Sequence, residues 1–292
     1  MCKYLALAQE YSQIASLEPK PFVKWAGGKR QLMAELEKNF PTKFGTYLEP
    51  FLGGGAVMFD LLTKVPNLKC NVSDLNSDLV LAYITIRDRS EKLIESLENH
   101  SKNYHKDSTG YYYEVRKQEP KNQIDKVSRL LFLNKTCFNG LYRVNSKGKF
   151  NVPLGRYTNP NIVNRENLQS VSKILQSGKI KISCRDFSSI IKDAKKGDFV
   201  YFDPPYQPVS DTASFTSYTH RDFTEDDLER LADLADQLNS KGCNVMLSNS
   251  NSKTVKKMFS SGWRIKEIKA NRAINSNSQK RTGHKEIIIK NY

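Results

Sequence analysis

The feature that most constrains this chain is a short strand-like run, Thr46–Glu49, that breaks into Pro50-Phe51-Leu52-Gly53-Gly54-Gly55 just before a helix-forming stretch, Ala56–Lys64. Glycines at a strand-to-helix junction let the backbone turn tightly and approach a ligand without Cβ clashes. Leu68–Ser73 reads as a second strand, with Asp74 directly after it and a helical pattern over Ser77–Asp88. Strand–helix alternation of this kind predicts an α/β domain built on a parallel sheet.

The alternation then stops. From Arg89 to Pro160 come two or three helical patterns and a loop rich in Asn, Gly, Pro and basic residues. It resumes with strands at Lys179–Cys184 and Phe199–Phe202. A helix follows over Thr224–Asn239, its Thr224 and Asp227 spaced as a capping box. Cys243–Leu247 is strand-like, Lys253–Ser260 helical, and Glu286–Lys290 a last strand. The expected organisation is a first catalytic part over 1–88, a mostly helical insertion over 89–160, and a second catalytic part over 161–292. No stretch reaches the roughly 18 apolar residues of a membrane span.

Charge points to a polyanionic partner. The 292 residues carry a formal charge of +15. The excess is clustered: residues 131–160 hold Lys135, Arg143, Lys147, Lys149 and Arg156 with no acid at all. Such clustering favours nucleic acid over a generally solvated surface. The five cysteines are scattered without a Cys-x-x-Cys pair, and the four histidines lie in no ligand-like spacing with them, so a metal is not expected. Lys3 and Glu10 interrupt the first apolar residues, so no secretory signal is expected and the cytoplasm is the expected compartment.

Asp203-Pro204-Pro205-Tyr206 is the sharpest chemical feature. The two prolines carry no N–H and stiffen the turn at the end of a strand. The Asp carboxylate and the carbonyl that follows it then suit one amino group, and the Tyr ring suits a planar base. An exocyclic amine is a poor nucleophile because its lone pair delocalises into the ring. Two aligned acceptors favour a tetrahedral nitrogen and stabilise the charge that grows during attack. Asp74, at the end of the next strand after the glycine turn, sits where an acid holds the ribose hydroxyls in Rossmann-like folds. Its other reading is a helix cap.

Five segments in order carry a family resemblance: FVKWAGGKRQL (22–32), EPFLGGGAVMF (49–59), DLNSDLV (74–80), FNGLYRVNSKGKFNVPLGRY (138–157) and DPPYQPVSDTASFTSYTH (203–220). Together they resemble the Dam/DpnII-type adenine-N6 DNA methyltransferases of the α group, which methylate GATC. The resemblance implies a Rossmann-like methyltransferase sheet with an inserted DNA-recognition domain, and S-adenosylmethionine as methyl donor, leaving S-adenosylhomocysteine. It places Trp25, Lys29, Asp74 and Asp203 at cofactor-contacting positions, Phe51, Gly53 and Gly55 under the methionine part, and Asp186 and Phe187 beside the adenine. Asp203, Pro204 and Tyr206 match the catalytic motif, and Val209 to His220 a loop closing over an extruded base. Lys24, Asn139, Leu141, Arg143, Pro153 and Tyr157 fall at DNA-contacting positions, with double-stranded DNA as partner. Whether a cognate restriction endonuclease accompanies the chain stays open. An N-methyltransferase acting on RNA or a protein amide, and a non-catalytic DNA-binding regulator, also stay open.

Overall fold

A computed structural model describes residues 18–25, 27–65, 67–177, 179–206, 223–270 and 284–292. The loop read at Val209 to His220 lies outside them. Among the described residues seven strands form one sheet: β1 (Thr46–Glu49), β2 (Lys69–Asp74), β3 (Ile180–Cys184), β4 (Phe199–Phe202), β5 (Asn244–Ser250), β6 (Arg264–Ala270) and β7 (His284–Lys290). Their order is β3-β2-β1-β4-β5-β7-β6. The first five are parallel to one another, whereas β7 runs antiparallel to both β5 and β6. The sheet is therefore mixed, not the parallel one that alternation predicts. An antiparallel β7 wedged between β5 and β6 closes that edge without a parallel crossover pairing.

The central strands are buried on both faces, as parallel strands under two helical layers must be. All four residues of β4, Phe-Val-Tyr-Phe, are buried. One apolar core gathers Tyr47, Val72, Phe199 and Tyr201 with helices α2 (Ala56–Lys64), α3 (Ser77–Lys106), α4 (Ser108–Lys117), α5 (Gln123–Thr136) and α6 (Arg165–Leu175). The other face packs Leu48, Val200, Phe202 and Val245 on α7 (Glu225–Ser240). The Thr224–Asp227 capping box is present at the start of α7.

Helix α3 runs on past Asp88, where the sequence pattern suggests an end, because Leu93, Ile94, Leu97 and Tyr104 continue its buried face. Its backbone leaves helical geometry at Arg89, with φ −143° and ψ 35°. The short helix α1 (Met33–Glu37), helix α6 and strand β6 have no counterpart in the sequence pattern above. Strand order reverses between β1 and β4, so their C-terminal ends open a crevice there, the usual ligand position of such sheets. Both the glycine turn and Asp203 lie at that end.

Candidate active site

The turn after β1 is held from three sides. Gly53 N–H donates to Asp74 Oδ2 at 2.9 Å, and Asn76 N–H donates to Asp74 Oδ1 at 2.9 Å. Asp74 thus ties the ends of β1 and β2 together. Its oxygens keep lone pairs for further donors. Burial pushes its carboxyl up, opposed by those backbone N–H groups. Tyr83 donates its hydroxyl to Gly53 O at 3.0 Å. Gly55 sits at φ +70°, and a Cβ there would lie 2.6 Å from the Tyr83 oxygen, so only glycine fits. Trp25 covers this turn and packs against Tyr142 with ring centroids 5.3 Å apart.

Beside the turn, Lys29 Nζ meets Asp203 Oδ1 at 2.7 Å. The lysine is only 4% exposed. Its ammonium also donates to Gly27 O at 2.8 Å and stands 4.7 Å above the Tyr206 ring. Tyr206 donates its hydroxyl to Glu286 Oε2 at 2.9 Å. Burial drives the Asp203 carboxyl up to about 6; Lys29 pulls it down and the charge of Glu286 pushes it up. Glu49, at the end of β1, is buried, and its Oε2 has no hydrogen-bond partner among the described residues. Burial, reinforced by the charges of Asp203 and Asp74, pushes its carboxyl well above the ordinary carboxylate range. Four carboxyl groups, Asp74, Asp203, Glu49 and Glu286, thus gather with one lysine around the C-terminal ends of β1, β2 and β4.

Phe51 stacks on Phe187, centroids 5.2 Å apart, and meets Phe223 edge-on. Phe187 is buried, and Arg230 covers it at 4.9 Å. The Asp186 carboxylate caps the following turn through Ser188 N–H and pairs with Arg230 at 2.9 Å. Asp186 is therefore partly exposed while the Phe187 ring is buried in the core packed on α7.

The basic loop is organised by a residue that sequence reading passed over. Asn134, fully buried in the last turn of α5, accepts from Lys24 N–H and donates to the carbonyls of Lys24 and Gly140. Lys24 Nζ then reaches the Tyr157 hydroxyl at 3.2 Å and lies over its ring at 4.6 Å. A Cβ on Gly140, at φ +66°, would run into the Lys24 side chain. Asn139 is exposed in a left-handed backbone conformation, which asparagine tolerates. Leu141 is half-buried against the core, Pro153 is exposed, and Pro153 O accepts from Phe138 N–H. Arg143 Nε donates to Asn151 Oδ1 at 2.7 Å, bracing the hairpin closed by Val144 and Phe150. Phe138, 45% exposed, is the other unanticipated member.

Residues 25–274 match the family described as D12 class N6 adenine-specific DNA methyltransferase. The chain belongs to this family. It is 44% identical over 94% of its length to the type II methyltransferase M1.LlaDCHI of Lactococcus lactis, covering 95% of that protein. It is equally identical to M.MjaIII of Methanocaldococcus jannaschii, covering all of it. The DNA adenine methylase of Haemophilus influenzae is 33% identical, with 94% of this chain and 95% of that one covered. A solved rRNA methyltransferase from Streptomyces viridochromogenes shares 10% identity and superposes with a TM-score of 0.41 over 96% of this chain and 92% of that one. This D12-class enzyme is an adenine-specific DNA methyltransferase dependent on S-adenosylmethionine. Among the described residues no group of His, Cys, Asp and Glu has metal-binding geometry, and no helix is long and apolar enough to cross a membrane.

Proposed function

We propose that the enzyme methylates N6 of the adenine in duplex GATC, with the base extruded from the helix and the methyl passed directly in line. The observation that carries this reading is the buried Lys29–Asp203 pair set against Tyr206 at the end of β4. When bound, S-adenosylmethionine supplies a methyl group on a cationic sulfur. The carboxyl-rich cleft and the close backbone of the glycine turn suit that cofactor, with Trp25, Asp74 and the Phe51–Gly55 turn holding it and Asp186 and Phe187 at its adenine end.

A duplex hides the adenine amino group, so chemistry requires flipping. Asp203 and the Pro204 carbonyl accept the two N6 hydrogens and pull the nitrogen towards tetrahedral geometry. Lys29 covers one face of the Tyr206 ring, so the base stacks on the other. The N6 lone pair would displace the methyl carbon from the sulfur, the C–S electron pair staying with the neutral thioether that leaves. The nitrogen would then shed its extra proton to Asp203. A carboxyl near 6 is a base of suitable strength for that proton. Tyr206 and Asp203 need no covalent enzyme intermediate.

The 89–160 segment is the recognition part. Asn139 and Arg143 have the donor and acceptor types that read base edges, Leu141 is a wedge, and Lys24, Pro153 and Tyr157 sit against the backbone. GATC rests on the likeness of residues 138–157 to the Dam/DpnII type. Similarity to two type II methyltransferases supports a modification role beside a cognate restriction endonuclease, acting on DNA in the cytoplasm.

The test is methyl transfer from labelled S-adenosylmethionine to two matched duplexes, one with a single GATC and one with that adenine replaced. Label on the first alone, recovered as N6-methyladenine, is expected. Equal label on both rejects GATC, and label on RNA or a peptide amide in preference to DNA rejects the substrate class.

A further inference from the structure

The Asp203-Pro204-Pro205-Tyr206 run ends in an aromatic residue with a hydroxyl. Here its hydroxyl has a dedicated partner on a strand remote in sequence. We propose that Glu286 is a positioning residue, which accepts the Tyr206 hydroxyl hydrogen and so fixes the ring as a platform for the target base while leaving Asp203 to the substrate amine.

Glu286 is only 8% exposed, and its Oε2 lies 2.9 Å from the Tyr206 oxygen. A buried carboxylate that accepts a charge-assisted hydrogen bond holds its donor more firmly than a neutral acceptor does. Its backbone is equally fixed: Glu286 pairs with Ser250 of β5 on one side and Ile268 of β6 on the other. One face of the ring is covered by the Lys29 ammonium, 4.7 Å from its centroid. Tyr206 is thereby clamped between a cation over its face and an anion at its hydroxyl.

The clamp also sorts hydrogen bonds. The Tyr206 hydroxyl is near enough to Asp203 to affect its titration, and a single phenolic hydrogen serves one acceptor at a time. Donation to Glu286 leaves the Asp203 oxygens to Lys29 and to an incoming amine. Without Glu286 the hydroxyl would turn to Asp203 and compete with substrate. The charge of Glu286 also raises both Asp203 and Tyr206, as expected of an anion sharing their buried surroundings.

This inference rests on Tyr206 being the stacking platform, and the test separates the two. Single-turnover methylation is measured for wild type, E286A, E286Q, Y206F and the double variant Y206F/E286A, with cofactor and DNA affinities alongside. E286A is expected to slow the chemical step roughly ten- to hundredfold with both affinities within about threefold of wild type. E286Q, which keeps an oxygen acceptor, should recover most of that rate. Y206F should lose about as much as E286A, and adding E286A to Y206F should cost nothing further. Should E286A fail to fold, E286L and Y206F/E286L, which fill the side-chain volume without an acceptor, carry the same comparison. An active enzyme in which E286A retains the wild-type rate, or in which the two sites act independently, overturns the positioning role alone. A 2-aminopurine at the target position that is as bright in the wild-type complex as in the Y206A complex, while wild type methylates its normal duplex, overturns the stacking platform beneath it.

Discussion

Lys29 and Asp203 form a 2.7 Å ion pair in which the lysine is almost closed to water. Asp203 is nevertheless raised from an ordinary carboxyl value to about 6, because burial outweighs the lysine. In the proposed mechanism the carboxylate form is the acceptor for N6, so the chemical rate should fall as pH drops below about 6. Removing the cation with K29M should move that acid limb upwards by about one pH unit or more. The folding consequence has the opposite sense. A carboxyl raised in the native state binds its proton more tightly there than when unfolded. Its stabilising contribution is complete below about pH 4 and is lost as pH rises through about 6. Rate–pH profiles of the two proteins, with urea unfolding at pH 4.5 and 7, would check both signs.

Asp203 itself should be indispensable to transfer and dispensable to binding. D203A is expected to lose at least about a thousandfold in the methylation rate, since it removes a preorganised acceptor for the developing charge. Duplex affinity should change by less than about threefold, measured by fluorescence anisotropy. A variant with near wild-type turnover would take Asp203 out of the mechanism.

Asn134 joins three backbone groups of two segments, the Lys24 N–H and the carbonyls of Lys24 and Gly140. N134A strands all three in a buried place, which should cost about 2–4 kcal/mol of stability. Lys24 and the 138–140 turn should also part, so DNA affinity falls along with the melting temperature. If stability fell with DNA binding untouched, the turn would not belong to the interface.

Arg143 is braced by Asn151 in the free protein. A bidentate contact to a base is worth about 1–3 kcal/mol of discrimination, so R143A should methylate single-base variants of the site much more readily relative to the cognate one. N151A, which frees the guanidinium but keeps it, should loosen selectivity less. Uniform weakening across all sequences, with a smaller salt dependence, would make Arg143 a phosphate contact instead.

Gly55 should tolerate no side chain. G55A places a methyl group against the Tyr83 oxygen in a left-handed backbone conformation. A loss of about 2 kcal/mol or more is expected, with cofactor binding weakened further, as thermal shift with and without S-adenosylmethionine would report.

Where local signals coincide, the sequence discloses the elements closely. β1 and β4 are short apolar runs cut off by a glycine turn and by two prolines, and both have the bounds their residues suggest. The Thr224–Asp227 cap likewise marks α7. Strand β6, Arg264–Ala270, was missed because its charged residues look like a basic surface loop. Charges on an edge strand are a common way of blunting it against aggregation. Helix α6 was missed although Leu168, Val171, Ile174 and Leu175 follow helical spacing, for Asn164 before it is left-handed and supplies no side-chain cap. At the site, Lys29 and Asp203 were legible through their motifs. Glu286 and Asn134 were not, since what makes them matter is a partner distant in sequence.

The placement of β7 has a consequence for the order in which the enzyme matures. Although β7 comes last along the chain, it is the only described neighbour of β6 and the wedge between β6 and β5. Until it inserts, β6 has nothing to pair with and the end of β5 lies open on one side. Pairings between such distant segments form slowly, because loop closure must precede the contacts that reward it. The basic loop over 138–157 and the glycine turn draw only on earlier residues. A chain emerging from the ribosome can thus shape both well before its sheet is closed. The Tyr206–Glu286 contact then waits for the last strand, so the cleft around Asp203 is completed after the loop.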